Sequence, residues 1–140
     1  MFVHCLSVHV KVRTMAVAPE RELVNQWRDL ATCYNKTAAA LDRELQEQHG
    51  MGLSEFEALD RLVESGEEKV RMHQLASDMY LSQSALSRTV ARLERSGLVE
   101  RAICYDDRRS VFVRLTETGS VRHGQARDTH RHVLADHLDR

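Results

Sequence analysis

Leu81-Ser82-Gln83-Ser84-Ala85-Leu86-Ser87-Arg88, continuing through Thr89 to Ser96, is the stretch on which the fold turns. Its first turn is crowded with short hydrogen-bonding side chains. Leu86, Val90 and Leu93 then recur at i, i+4 and i+7, which places them on one buried stripe of a helix. Gln83, Ser84, Ser87, Arg88, Arg92 and Arg95 fall on the other faces. Upstream, Met72 to Met79 reads as a short helix that turns Leu75, Ala76 and Met79 inward, and Tyr80-Leu81-Ser82 is the tight turn joining the two. Two short helices joined in this way form a helix-turn-helix. After Gly97 the apolar period changes from about 3.6 to 2, the mark of strands. Leu98 to Cys104 is one strand and Ser110 to Leu115 the other, with Tyr105-Asp106-Asp107-Arg108-Arg109 as a charged hairpin tip between them. The predicted fold is mainly α with a small β-wing: a winged helix-turn-helix.

Length and composition set the frame around this unit. A chain of 140 residues is one domain's worth, and 42% hydrophobic with 29% charged residues excludes a disordered chain. Aromatic residues are 5% and there is a single proline, which favours helices over a sandwich or barrel. The net charge of −1 does not announce a nucleic-acid partner, but the charge is uneven. From Gln83 to Arg114 there are seven arginines (88, 92, 95, 101, 108, 109, 114) against four acids, while Leu53 to Glu68 holds six acids against one arginine. Binding a phosphate backbone needs a basic surface locally, not a basic protein. Cys5, Cys33 and Cys104 are odd in number and share no CxxC spacing, which suits a reducing cytosol better than a disulfide framework. No apolar run approaches the roughly 18 residues needed to cross a bilayer. Ala16-Val17-Ala18 looks like a cleavage site, but the segment before it opens without basic residues and carries Lys11 and Arg13 late, so a signal peptide is not expected.

Asp107-x-Arg109 followed by Val113-x-Leu115-Thr116-x-x-Gly119 resembles the multiple antibiotic resistance regulator (MarR) family. So do Leu93-Glu94-x-x-Gly97-Leu98-Val99 and Leu81-Ser82-Gln83-Ser84-x-Leu86-Ser87-Arg88. The matched blocks cover about half the chain and occur in the family's order. The resemblance implies a homodimeric, cytoplasmic regulator that binds double-stranded DNA, with an affinity set by a small-molecule effector or an oxidant. Relatives usually continue beyond the point where this chain stops, with a helix that interlocks with the partner subunit; this is the main departure, and it implies a dimer with less surface or a different arrangement.

The rest of the chain is read outward from the winged unit. Residues 1–18 are expected to be a loosely ordered tail, with a short strand possible at Val8 to Val12 and Met15 an alternative start. Residues 19–140 are expected to be one domain, with 19–49 and 117–140 as dimerisation helices around a winged helix-turn-helix at 53–116. Pro19 suits the first turn of a helix, and Glu20 and Glu22 suit its positive end. Leu23, Trp27, Leu30, Tyr34, Leu41 and Leu45 recur at helical steps up to a stop at His49-Gly50. Such a helix is roughly 45 Å long, more than a small domain covers, so part of its stripe is expected to meet another chain. Ser54-Glu55-Phe56-Glu57 reads as a capping box, with Phe56, Leu59, Leu62 and Val63 as the buried face that follows. Val70 to Met72 adds a short strand beside the wing, and Thr116 caps a last helix bearing Val121, Ala126, Val133, Leu134 and Leu138.

The candidate DNA-binding residues are Gln83, Ser84, Ser87, Arg88 and Arg92 on the helix, and Asp107, Arg108 and Arg109 at the wing. Gln and Arg bind base edges bidentately in the major groove, and the amides of a helix N-terminus favour phosphate. Ser82 reads instead as the helix cap. Arg109 suits a narrow minor groove, with Asp107 two residues earlier holding its guanidinium, and Arg108 suits a phosphate. Cys33 reads as a small buried hydrophobe or, by resemblance, an oxidant switch. His123, His130 and His137 repeat every seven residues with His132 beside them, an interval too long for a shared metal without ligands from elsewhere. No metal site or cofactor is assigned, and with no Gly-rich phosphate loop, GxSxG or HExxH the chain is not read as an enzyme. The alternatives to an operator-binding repressor are a winged-helix module that docks a protein, and a zinc-responsive regulator of the same fold.

Overall fold

The computed structural model describes residues 19–103 and 110–138, and the tail at 1–18 and the hairpin tip at 104–109 lie outside the described residues. The elements are α1 (Glu20–His49), α2 (Leu53–Ser65), β1 (Val70–Arg71), α3 (Met72–Asp78), α4 (Gln83–Arg95), β2 (Val99–Ile103), β3 (Val111–Leu115) and α5 (Glu117–Leu138). The strands form one antiparallel sheet in the order β1-β3-β2, with Val70 opposite Val113 and Ile103 opposite Val111. The architecture is the one the period change after Gly97 predicts: mainly helical, with a three-stranded wing.

A single core ties the winged unit together. Phe56, Leu59, Leu75, Leu86, Val90, Leu93, Val99 and Val113 are all buried in it, and Leu45 brings the C-terminal end of α1 into the same cluster. The stripe expected on α4 is the buried one, joined by Thr89, whose hydroxyl donates to the Ala85 carbonyl at 3.2 Å. Local signals elsewhere are overruled by neighbours. Ser54 is not a cap: α2 begins a residue earlier, at Leu53, and the Leu53 N–H donates across helices to Asp42 Oδ1 on α1 at 2.9 Å. Ala58 is buried in the main cluster where Val63 was expected, and Val63 is exposed.

On α5 the expected stripe is largely displaced. Val121 and Leu138 are exposed, while His123, Ala126, His130 and Val133 are buried. His123 and His130, two turns apart, each stack on the Phe56 ring, at centroid distances of 5.4 Å and 4.5 Å. Stacking of flat rings lets a histidine occupy an apolar contact, provided its nitrogens find partners. They do. His123 Nε2 lies 2.7 Å from Asp60 Oδ1, and the Arg131 guanidinium donates to both Asp60 oxygens and to His130 Nδ1. His123 and His130 are thus on the packed face of α5, while His137, the third of the repeat, is exposed.

Two backbone positions define how the elements join. Gly119 lies so near the end of α4 that an added Cβ would stand 2.0 Å from the Leu98 carbonyl oxygen, so no other residue fits there. Thr116 caps α5 through the Gly119 N–H and donates to the Gly97 carbonyl, closing the same junction. At the other end of α4, α3 finishes in a Schellman motif: the Leu81 N–H reaches the Ala76 carbonyl and the Tyr80 N–H the Ser77 carbonyl. The motif requires a left-handed residue, and Tyr80 fills it with φ 55°.

Gly119→Ala is expected to destabilise the protein by about 3 kcal/mol, since the clash is with backbone and cannot be relieved by a rotamer. A denaturant midpoint unchanged from wild type would show that the α4–α5 junction yields. Acid is expected to loosen the α2–α5 contact. Burial, reinforced by the Arg131 guanidinium, pushes the His130 imidazole below its usual range. Burial raises the Asp60 carboxyl, but the hydrogen bonds and charges of Arg131 and His123 outweigh it and hold the group below its usual range. Both folded pKa values are depressed, so both contributions are present at neutral pH and lost on acidification. His130 acts first, below about pH 6.5, and Asp60 only below about pH 4. His130→Phe, which keeps the stack, should flatten the fall in melting temperature between pH 7 and 5; an equally steep fall would assign it to other groups.

Candidate nucleic-acid interface

The exposed side of α4 is built from its capped N-terminus. Ser82 Oγ accepts the Ala85 N–H at 3.1 Å, the capping role expected of it, and lies 3.2 Å from Ser84 Oγ. Gln83 and Ser84 follow in the first turn with their side chains exposed, and Arg88 is exposed one turn later. Ser87 is half-buried, and its carbonyl accepts from the Arg101 guanidinium at 3.1 Å. Buried Leu86, Val90 and Leu93 on the opposite face hold this edge outward.

The arginines divide into two sets. Arg92 Nε donates to Glu55 Oε1 on α2 at 2.9 Å, and its Nη2 donates to Thr89 Oγ1. Arg101 on β2 pairs with Glu94 on α4 at 2.6 Å as well as holding the Ser87 carbonyl. Arg114 pairs with Glu100 at 2.9 Å and approaches Glu68 at 3.7 Å. Arg92 and Arg101 brace α4 against α2 and the wing, and Arg114 ties the wing strands to each other. Arg88 and Arg95 are exposed and make no ion pair among the described residues. The local excess of positive charge read from the sequence is therefore concentrated on fewer side chains than the count of arginines suggests. Of the candidate residues, Gln83, Ser84, Ser87 and Arg88 come together at one end of α4. Arg92 lies a turn further along, tied to α2 yet partly exposed. Asp107, Arg108 and Arg109 lie outside the described residues.

Reading the sequence missed the flank of the wing. Lys69 Nζ stands 4.6 Å from the centroid of the Phe112 ring and the Arg71 guanidinium 5.4 Å from it, with Arg71 also bonded to Ser110 Oγ. Lys69 and Arg71 are adjacent to this ring only because β1 pairs with β3, a contact separated by about 40 residues in the chain. Alternation in β1 was too short a signal to find it.

This assembly of a capped helix, braced arginines and a three-stranded wing has known counterparts. Residues 51–111 match the MarR family. AbsC, a MarR family transcriptional regulator from Streptomyces coelicolor, superimposes with a TM-score of 0.76 at 29% identity, over 89% of this chain and 82% of AbsC. Sco3205, a MarR family transcriptional regulator from the same organism, was solved in complex with DNA. It superimposes with a TM-score of 0.79 at 29% identity, over 90% of this chain and 79% of Sco3205.

Over residues 51–111 the chain is similar to the MarR family, and its fold is shared with MarR family regulators. That is a family of transcription regulators, not of enzymes. The HTH-type transcriptional regulator YkoM of Bacillus subtilis is also similar, 29% identical over 97 residues that make up 69% of this chain and 61% of YkoM. The family's motif residues now have physical reasons: Gly119 for the close approach to Leu98, Thr116 for the cap, and Leu93 and Leu98 for the core beneath the wing.

Outside α4, the sensor candidates look different in three dimensions. Cys33 is half-buried on α1 and disulfide-bonded, which corrects both its reading as a small buried hydrophobe and the expectation of reduced thiols drawn from the odd cysteine count. No group of three or more ligating side chains gathers among the described residues, and the two buried histidines are committed to Asp60 and Arg131. A cavity of about 630 Å³ opens between α1 and α5, lined by side chains of both signs including Arg43, Glu44, Asp128, His132 and Asp136. No described helix is long and apolar enough to cross a membrane.

Proposed function

We propose that the chain is a homodimeric, sequence-specific DNA-binding regulator that represses from an inverted-repeat operator and is released by a small-molecule or oxidant signal. The observation that carries the DNA contact is the end of α4: Gln83, Ser84 and Arg88, the last with no ion pair among the described residues, exposed beside a capped helix N-terminus. A helix so equipped suits the major groove, with its first turn on base edges and its amides toward phosphate. Sco3205, similar in fold and sequence, is known bound to DNA. Ser87 and Arg92 complete the surface, with Arg92 also holding the helix at its angle to α2 through Glu55. Asp107, Arg108 and Arg109 are assigned to the wing tip, Arg109 in the minor groove and Arg108 on a phosphate. Such a role places the protein in the cytoplasm, with the chromosome.

The dimer is proposed to form through residues 19–49 and 117–140, leaving 53–116 for DNA. The support is α1 itself. Its C-terminal part buries Thr37, Ala40, Leu41 and Leu45, whereas Leu23, Trp27, Leu30 and Tyr34 on the N-terminal part are exposed, Trp27 at 70% and Tyr34 at 72%. An apolar stripe of that length on a monomer marks an association surface. Two recognition helices held about 34 Å apart read successive major grooves, so a modest change at the dimer helices alters both contacts together.

Selection of bound duplexes from a random DNA pool tests the reading: an inverted repeat is expected, and no enrichment at moderate salt would end it. Arg88→Ala is expected to cost about 1–3 kcal/mol of binding and relax preference at one position, measured by competition with single-base variants; a uniform loss across sequences would reassign it to phosphate. Trp27→Glu is expected to yield a folded monomer with weakened operator binding. A variant that stays dimeric in analytical ultracentrifugation would remove this stripe from the interface.

A further inference from the structure

Tyr80 presents two observations that the folding of the free chain does not account for. Its backbone is left-handed, with φ 55°, a conformation that glycine adopts freely and that crowds the Cβ of any bulky residue. Its side chain is 96% exposed and makes no hydrogen bond, ion pair or ring contact among the described residues. The Schellman hydrogen bonds of Leu81 and Tyr80 impose the conformation, and Leu81 supplies the accompanying contact with the core. The turn is thus stabilised entirely by its neighbours. The Cβ carries the strain and the exposed phenol offers no packing against it, so a glycine at this position would fold with less strain. A strained residue retained without local compensation points to a role outside the folded monomer.

Its position indicates which role. Tyr80 is the last residue before Leu81 and the Ser82 cap, so its ring projects from the turn that leads into the first turn of α4. In a helix-turn-helix whose second helix lies in the major groove, the first helix crosses the sugar-phosphate backbone. The turn between them consequently faces the strand bordering the groove. Tyrosine hydroxyls are among the side-chain donors to phosphate oxygens, and a neutral donor there fixes register without reading sequence.

We infer that Tyr80 is a DNA-backbone contact: its phenolic hydroxyl donates to a phosphate oxygen beside the groove entered by α4, an assignment that rests on the DNA-binding function proposed above. The residue orients the recognition helix against the duplex and does not choose the bases. Its loss weakens binding to all sequences alike, and because no charge is removed the salt dependence of binding keeps its slope.

The test uses the full chain and a duplex obtained by selection, with binding followed by fluorescence anisotropy and folding by thermal melting. Tyr80→Gly is expected to melt at the wild-type temperature or above while its dissociation constant rises at least fivefold. Tyr80→Phe, which keeps the ring and the strain, is expected to show a comparable loss. Replacing each phosphate in turn by an uncharged methylphosphonate should reveal one position at which the wild type is weakened and Tyr80→Phe is not weakened further. Wild-type affinity in either variant, or equal sensitivity of wild type and Tyr80→Phe at every phosphate, overturns the assignment. The two readings fail separately: a wild type that binds no selected duplex brings down the proposed function and this contact with it, whereas tight, Arg88-dependent wild-type binding unaffected by both substitutions removes Tyr80 alone.

Discussion

The contact on which the molecule depends is the stack of Phe56 against His123 and His130. Phe56 is fully buried, and it belongs to the same apolar cluster as the helix-turn-helix and the wing. Its other neighbours are on α5, so one ring joins the winged unit to the long C-terminal helix. An aliphatic pair could fill such a space, but it would not set the rotation of α5 about its own axis. The histidines do, because their nitrogens must reach Asp60 and Arg131. Directional hydrogen bonds inside an apolar contact restrict the packing to one arrangement, since any rotation leaves buried polar groups unpaired.

The geometry of α4 follows from that anchor. With α2 positioned, Glu55 can hold Arg92, and Gly119 can bring the start of α5 against the Leu98 carbonyl. Arg101 then bridges from β2 to Glu94 and the Ser87 carbonyl, tying helix to wing. Arginines that would be called basic surface in a linear count are in fact structural ties. Among the described arginines of α4, β2 and β3, those without an ion pair are Arg88 and Arg95. A small set of unneutralised cations on a rigid support suits proposed recognition of a fixed, repetitive polyanion better than a diffuse positive field, because each cation stands in a defined relation to the helix.

The long helix α1 divides between two environments. Asp42, on its buried half, accepts the first N–H of α2, and Leu45 enters the main core, so the lower part is integral to the winged unit. The upper part carries its apolar stripe into solvent. The helix is core at its C-terminal end and, among the described residues, exposes its apolar side chains at the other, and the cavity between α1 and α5 lies alongside it.

Much of this was legible in the chain itself. The stripe of Leu86, Val90 and Leu93, the Ser82 and Thr116 caps and the change of period after Gly97 are local signals: each depends on residues within about two turns of one another, so spacing alone determines the element. The order of those elements was enough to point to the family whose model matches residues 51–111. Other features were invisible for a physical reason, namely that they are contacts between separate helices, 11 positions apart for Asp42 and Leu53 and 63 for Asp60 and His123. Asp42 replaces Ser54 as the cap of α2 because a neighbouring helix offers a better-placed acceptor. His123 and His130 look solvated until Phe56 and Asp60 arrive from α2 to receive them. Periodicity tells which residues share a face of a helix; only the packed structure decides which face is covered, and burial of a polar ring is decided by partners that the local sequence does not contain.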